Sequence, residues 1–169
     1  MELKNMDIKE IYESALTDPT LFSTIDVESL LAKIECEDNH YLENKTLTDI
    51  SKDIFDAVSE LNVSTDLASN FCDRLSGYRY IERVCDLRNG KMMRWIKRPM
   101  NLPLNEKSLT NGGILMNIKI ENSGVQLLCR NNAQRFFNIK FDDCLVFQKL
   151  TMEEQLIVMS YEYTDKQDL

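Results

Sequence analysis

Residues 76–98 read SGYRYIERVCDLRNGKMMRWIKR, and the periodicity of the chain changes on entering them. Upstream, apolar residues recur every three or four positions; here they alternate, and Ser76-Gly77 marks the break. YRYIERVCD and KMMRWIK flank LRNG, in which Asn89-Gly90 suits the positive φ angles of a tight turn. The sequence therefore predicts a β-hairpin over 78–98.

Working downstream, residues 99–111 (PMNLPLNEKSLTN) read as a loop, followed by four strands in GILMNIKI, GVQLLCR, RFFNIKF and CLVFQKL. Their connections, ENSG, NNAQ and DD, are short and rich in turn formers, which predicts an antiparallel meander. Thr151 and Glu154 form a capping box for a last helix carrying Met152, Leu156, Ile157 and Met159.

Working upstream, four helices are expected. Ile8, Ile11, Tyr12, Ala15 and Leu16 form one stripe, ended by Pro19; Ser23 or Thr24 caps a second helix with Val27, Leu30, Leu31 and Ile34. Thr46 or Thr48 opens a third with Leu47, Ile50, Ile54, Ala57, Val58 and Leu61, and Ser64 or Thr65 caps a fourth with Leu67, Ala68, Phe71 and Leu75. The expected fold is α+β: an acidic helical region over 1–75, then a basic antiparallel β domain over 78–169 with a C-terminal helix. The sheet is read as a small SH3-like or OB-like barrel or a bent sheet, with an open sheet covered by helices on one face as the alternative. The succession helix, turn, helix, hairpin over 25–98 also resembles the winged-helix class in layout. That resemblance puts Thr65 to Leu75 in the place of the recognition helix and Arg88 to Lys91 in that of the wing.

Hydrophobic residues make up 43% and charged residues 28%, with five Gly and three Pro, which is the balance of a folded globular chain with little disordered linker. No run approaches the roughly 20 apolar residues that span a bilayer, and MELKNMDIKEIYES has acids where a signal peptide needs basic and then apolar residues. An intracellular location and no membrane contact are expected. Cys36, Cys72, Cys85, Cys129 and Cys144 are scattered and odd in number, which predicts reduced, buried thiols.

The net charge of −8 is unevenly spread: residues 1–75 carry −11, residues 76–149 carry +7 and residues 150–169 carry −4. Such a reversal implies either two surfaces with different partners or two halves that attract each other. Enzyme schemes find little support. His40 is the sole histidine, and Cys36, Glu37, Asp38 and His40 read as a solvated helix end rather than a metal site. No phosphate-binding loop or nucleophile elbow is present, and Asp142-Asp143 reads as a turn. No cofactor is expected.

The candidate site is the basic aromatic segment itself: Arg79, Arg83, Arg88, Lys91, Arg94, Trp95, Lys97 and Arg98, with Tyr78 and Tyr80 between them. Cations neutralise phosphates and rings stack on bases, so the expectation is a non-enzymatic binding module for nucleic acid or an acidic protein surface, with a protein partner for the acidic N-terminal helices. The competing reading has Trp95 and the tyrosines in the core and the arginines paired with acids of the same chain. The alternative function is a structural or protein-interaction subunit of a larger complex. Abundant Asn, Lys and Ile suggest AT-biased coding, as in a large DNA virus.

Overall fold

In the computed structural model the described residues are 37–98 and 103–167, with side chains described from 39 to 98 and from 103 to 163. The chain forms two compact units, Met1–Glu43 and Asn44–Leu169. The helices expected over 7–15 and 23–34 lie outside the described residues, and the described part of the first unit is a 3-10 segment, Glu37–Leu42.

The second unit runs α1 (Leu47–Ser59), α2 (Thr65–Arg74), β1 (Tyr78–Ile81), β2 (Met92–Lys97), β3 (Gly113–Glu121), β4 (Gly124–Arg130), β5 (Phe136–Lys140), β6 (Cys144–Lys149) and α3 (Met152–Gln167). The seam expected at Ser76-Gly77 falls inside this unit: Leu150 N–H donates to the Gly77 carbonyl at 2.9 Å and α1 packs against β1.

The helices start where their capping residues place them. Thr46 Oγ1 accepts from the Asp49 N–H at 3.1 Å, and the Asp49 carboxylate accepts from the Thr46 N–H at 2.9 Å. The Thr46 N–H and hydroxyl both donate to that carboxylate and hold it below its ordinary value. Asn62, at φ 51, turns the chain between α1 and α2, and the Ser64 hydroxyl accepts from Leu67 N–H at 3.3 Å to open α2. The predicted box at α3 also forms, with Thr151 N–H donating to Glu154 Oε2 at 2.6 Å and Glu154 N–H to Thr151 Oγ1 at 3.2 Å.

All six strands pair antiparallel, in the order β1-β6-β2-β3-β4-β5. The meander expected over the last four strands holds from β3 to β5 and extends back to β2, but β6 does not pair with β5 across Asp142-Asp143. The hairpin over 78–98 does not form, because β6 lies between β1 and β2, with Tyr80 opposite Phe147 and Trp95 opposite Val146. Five of the six residues of β6 are buried, and a strand apolar on both faces belongs inside a sheet with a partner on each side. Asn89-Gly90 still turns, with Gly90 at φ 81, but its N–H donates to the Leu115 carbonyl at 2.7 Å, toward β3 rather than β1. The winged-helix layout fails for the same reason, since the two strands of its wing do not pair.

The sheet is bent and open. Phe141–Asp143, a three-residue 3-10 turn, joins β5 to β6, which stands four strands away in the sheet. Four Cα steps span at most about 14 Å, whereas four flat interstrand spacings need about 19 Å. The sheet must curl, and a bulge between Leu115 and Asn117 falls within it. Inside the curl lie Ile81, Leu87, Met93, Leu115, Leu127, Cys129, Cys144 and Val146. Alternation sends Tyr78, Tyr80, Ile96, Leu145 and Phe147 to the other face, where the rings of Tyr80 and Phe147 are 5.6 Å apart.

Since β6 separates β1 from β2, residues 82–91 must cross over it. The crossing is held by Gln148 of β6, fully buried, whose Oε1 accepts from Arg88 N–H at 3.0 Å and whose Nε2 donates to the Arg88 carbonyl at 2.7 Å. Replacing Gln148→Leu strands both Arg88 groups, and unsatisfied buried groups cost about 1–3 kcal/mol. Urea unfolding should register a loss of that order, and an unchanged midpoint would show that the crossing does not depend on the amide.

Candidate nucleic-acid interface

The structure divides the eight predicted site residues between the interior and the surface. Arg79 shares the inner face with Ile81 and is 7% exposed; its guanidinium donates to the Asp86 carbonyl at 2.5 Å. Burial lowers its pKa to about 10, against the opposing pull of Asp86, with Arg88 adding to the fall. The Arg88 guanidinium donates to the carbonyls of Cys85 at 2.8 Å and Leu87 at 3.1 Å. The Lys91 ammonium donates to the Glu154 carboxylate at the start of α3. These three cations surround the crossing segment and fix its path.

Arg94 points to the opposite face. It donates to the Arg74 carbonyl at 2.9 Å and lies 5.3 Å from the Tyr78 ring centroid. Arg74 is the last residue of α2, where the helix dipole favours a cation. Nε of Arg94 is buried with no hydrogen-bond partner among the described residues, so this fit is incomplete. Trp95 is half-buried, packed against the inner core with its ring 5.3 Å from that of Phe137.

Three of the eight are exposed. Arg83 is forked onto Asp86 at 3.1 and 3.2 Å, and that hydrogen bond raises its pKa. Lys97 closes β2 and Arg98 follows it, where Arg98 N–H donates to the Asp143 carbonyl at 2.8 Å. Among the described residues, Lys45–Asp53, Arg83–Asp86 and Lys91–Glu154 form ion pairs. Thus Lys91 is paired with an acid of α3. Sequence reasoning found Glu154 as a cap and missed its second role; a carboxylate fixed in the first turn of a helix packed beside a basic segment was the available signal.

Burial pushes the Glu154 carboxyl up and lowers Lys91 to about 8, with Arg79 and Arg88 adding to the fall. The two shifts have one cause, a contact largely withdrawn from water.

Little else in the described residues invites chemistry. No group of three or more His, Cys, Asp or Glu among them could hold a metal; His40 is exposed, and Cys36 lies outside them. Asp142 and Asp143 fall in the 3-10 turn between β5 and β6. Burial raises the thiols of Cys129 and Cys144 to about 12 and about 11, so both behave as small hydrophobes, while Cys72 is half-buried and Cys85 exposed. No helix among the described residues is long and apolar enough to cross a membrane. Comparison with protein-family models, with characterised proteins and with solved structures finds no match to this chain.

A lysine of pKa about 8 when folded and 10.5 when unfolded binds fewer protons in the folded chain between those values. Lys91 should therefore make stability rise as pH increases from about 8 to 10.5. Urea unfolding of the parent and of Lys91→Met across that window checks this: the variant should lose the rise, and an identical slope would clear Lys91 of responsibility.

Proposed function

We propose that this chain is a non-enzymatic binding module whose ligand is nucleic acid, held through exposed cations of its β-rich segment. The observation that carries the reading is charge left over once the fold has used what it needs. Residues 76–149 hold 13 Lys and Arg against 6 Asp and Glu. Among them, Lys97, Arg98, Lys107, Lys119, Arg130, Arg135, Lys140 and Lys149 form no ion pair with the described residues. A cation facing water and unclaimed by a carboxylate is available to a phosphate, and neutralising phosphates releases counterions. Of the predicted set, Lys97 and Arg98 are the contact residues in this reading, Arg83 is exposed but already claimed by Asp86, and Arg79, Arg88, Lys91, Arg94 and Trp95 shape the surface from beneath.

A second reading, a protein-docking subunit of a larger assembly, draws support from the −11 charge of residues 1–75 and from Phe55, which is 56% exposed on α1. Sedimentation of the native protein bears on it, since a freely diffusing monomer in its source extract would count against such an assembly.

Fluorescence anisotropy of the full chain with labelled single- and double-stranded oligonucleotides, over a salt series, tests the first reading. Binding should weaken linearly in log–log form, and Lys97→Gln with Arg98→Gln should lower the slope by about 0.7–0.9 per cation removed. A parent chain with no salt-dependent binding to any oligonucleotide would sink the nucleic-acid reading.

A further inference from the structure

We infer that single-stranded nucleic acid lies across the outer face of β3, β4 and β5, with Phe136 as the platform on which a base stacks. This rests on the nucleic-acid reading above and assigns it a surface, ligand form and stacking residue that the basic segment 78–98 does not supply.

The register builds the face. Val125, Leu127 and Cys129 of β4 and Phe137 and Ile139 of β5 turn toward the inner core, so their neighbours in sequence must turn outward. On that outward side Arg130 stands opposite Phe136, and one step of alternation further Leu128 of β4 stands opposite Asn138 of β5. Beyond it Lys119, Gln126 and Lys140 form a row across three strands, since Lys119 pairs with Gln126 and Gln126 with Lys140. Arg130 and Gln126 are four residues apart on one strand, which is about 13 Å, and three strands cover about 10 Å. A patch of that size suits two or three nucleotides, the number that sheet faces bearing stacking rings commonly hold.

The chemistry of the patch selects the ligand. Phe136 is 60% exposed, although it is a large apolar ring with a core within reach of the next residue. A guanidinium beside an exposed ring matches a phosphate beside a base, and Gln126 and Asn138 offer amides to base edges. Lys119, Arg130 and Lys140 form no ion pair with the described residues. The carboxylates close to the patch, Glu121 and Asp142, are confined to the end at the β3–β4 turn, where Asp142 and Lys140 both approach Gly124. Cations thus outnumber acids on the face, the balance a polyanion needs. Stacking on a ring requires an unpaired base, so the ligand is a single strand and not a duplex.

The test uses the full chain with fluorescein-labelled oligouridylate, oligothymidylate and a duplex of the same length. Phe136→Ala should weaken single-strand binding about tenfold and leave duplex binding alone, whereas Phe136→Tyr should keep it. Lys119→Gln with Lys140→Gln should lower the single-strand salt slope by about 0.7 per lysine. Because the Phe136 ring faces solvent, the alanine variant should melt with the parent, and Phe136→Tyr reports on the ring if it does not. Single-strand binding by Phe136→Ala equal to the parent's overturns the platform while leaving nucleic-acid binding in place. Loss on the lysine changes alone would make the face an attractor of any polyanion, acidic proteins included, and also overturns it. Failure of the parent to bind any oligonucleotide removes this inference together with the reading beneath it.

Discussion

The placement of β6 between β1 and β2 is the constraint on which the rest of the second unit depends. Cys144, Val146 and Gln148 face the inside of the curl, and Leu145 and Phe147 face the other way; all five are buried. Burying a Val, Leu or Phe side chain contributes about 1.5–3 kcal/mol, and an edge position would leave β6 with an unpaired backbone side as well. Seating this strand inside the sheet forces the other features. The link from β1 to β2 must pass over it, and the link from β5 must return to it in three residues, which bends the sheet.

That route explains how the basic segment is used. A connection crossing a buried strand carries backbone carbonyls that need partners, and the nearest donors are its own cations. Arg79 and Arg88 supply guanidiniums to carbonyls of the crossing, Gln148 clamps its backbone from below, and Lys91 ties its end to α3. Arg94, one strand over and on the opposite face, performs the same service for the last turn of α2. Charges withdrawn from water are tolerated where hydrogen bonds replace hydration, so density of cations in a sequence is no measure of density of cations on a surface.

Much of the local structure was legible because local signals determine it. Thr46, Ser64 and Thr151 cap helices by bonding to residues three positions on, and strands β3 to β5 follow from alternation and short turns. The pairing of β1 was not legible from Asn89-Gly90, since a turn sequence specifies a reversal and not a partner. A better signal lay in CLVF, whose unbroken apolar run marks a strand buried on both faces and hence flanked on both sides. For the candidate site, the positive balance of residues 76–149 was readable, but which cations stay outside depends on the side from which the crossing covers β6, a long-range property. Trp95 was the exception: it alternates with Met93, which is fully buried in the inner core, and so shares its inner face.

The same alternation accounts for where an exposed ring and cations meet. In GILMNIKI, GVQLLCR and RFFNIKF the apolar positions that fill the curl leave Lys119, Gln126, Arg130, Phe136 and Lys140 on the convex side. Helix α1 packs on β1, at the far edge of the sheet from β5, and β6 and β2 carry the outward apolar residues Leu145, Phe147 and Ile96. On β3 to β5 amides and cations take most of the outward positions, with Ile114, Leu128 and Phe136 among them. A ring as large as Phe136 standing among them gains nothing from water, whereas Phe137 beside it is tucked against Trp95. Two adjacent phenylalanines thus take opposite parts in one strand: the inner one belongs to the packing that curls the sheet, and the outer one to whatever the sheet meets.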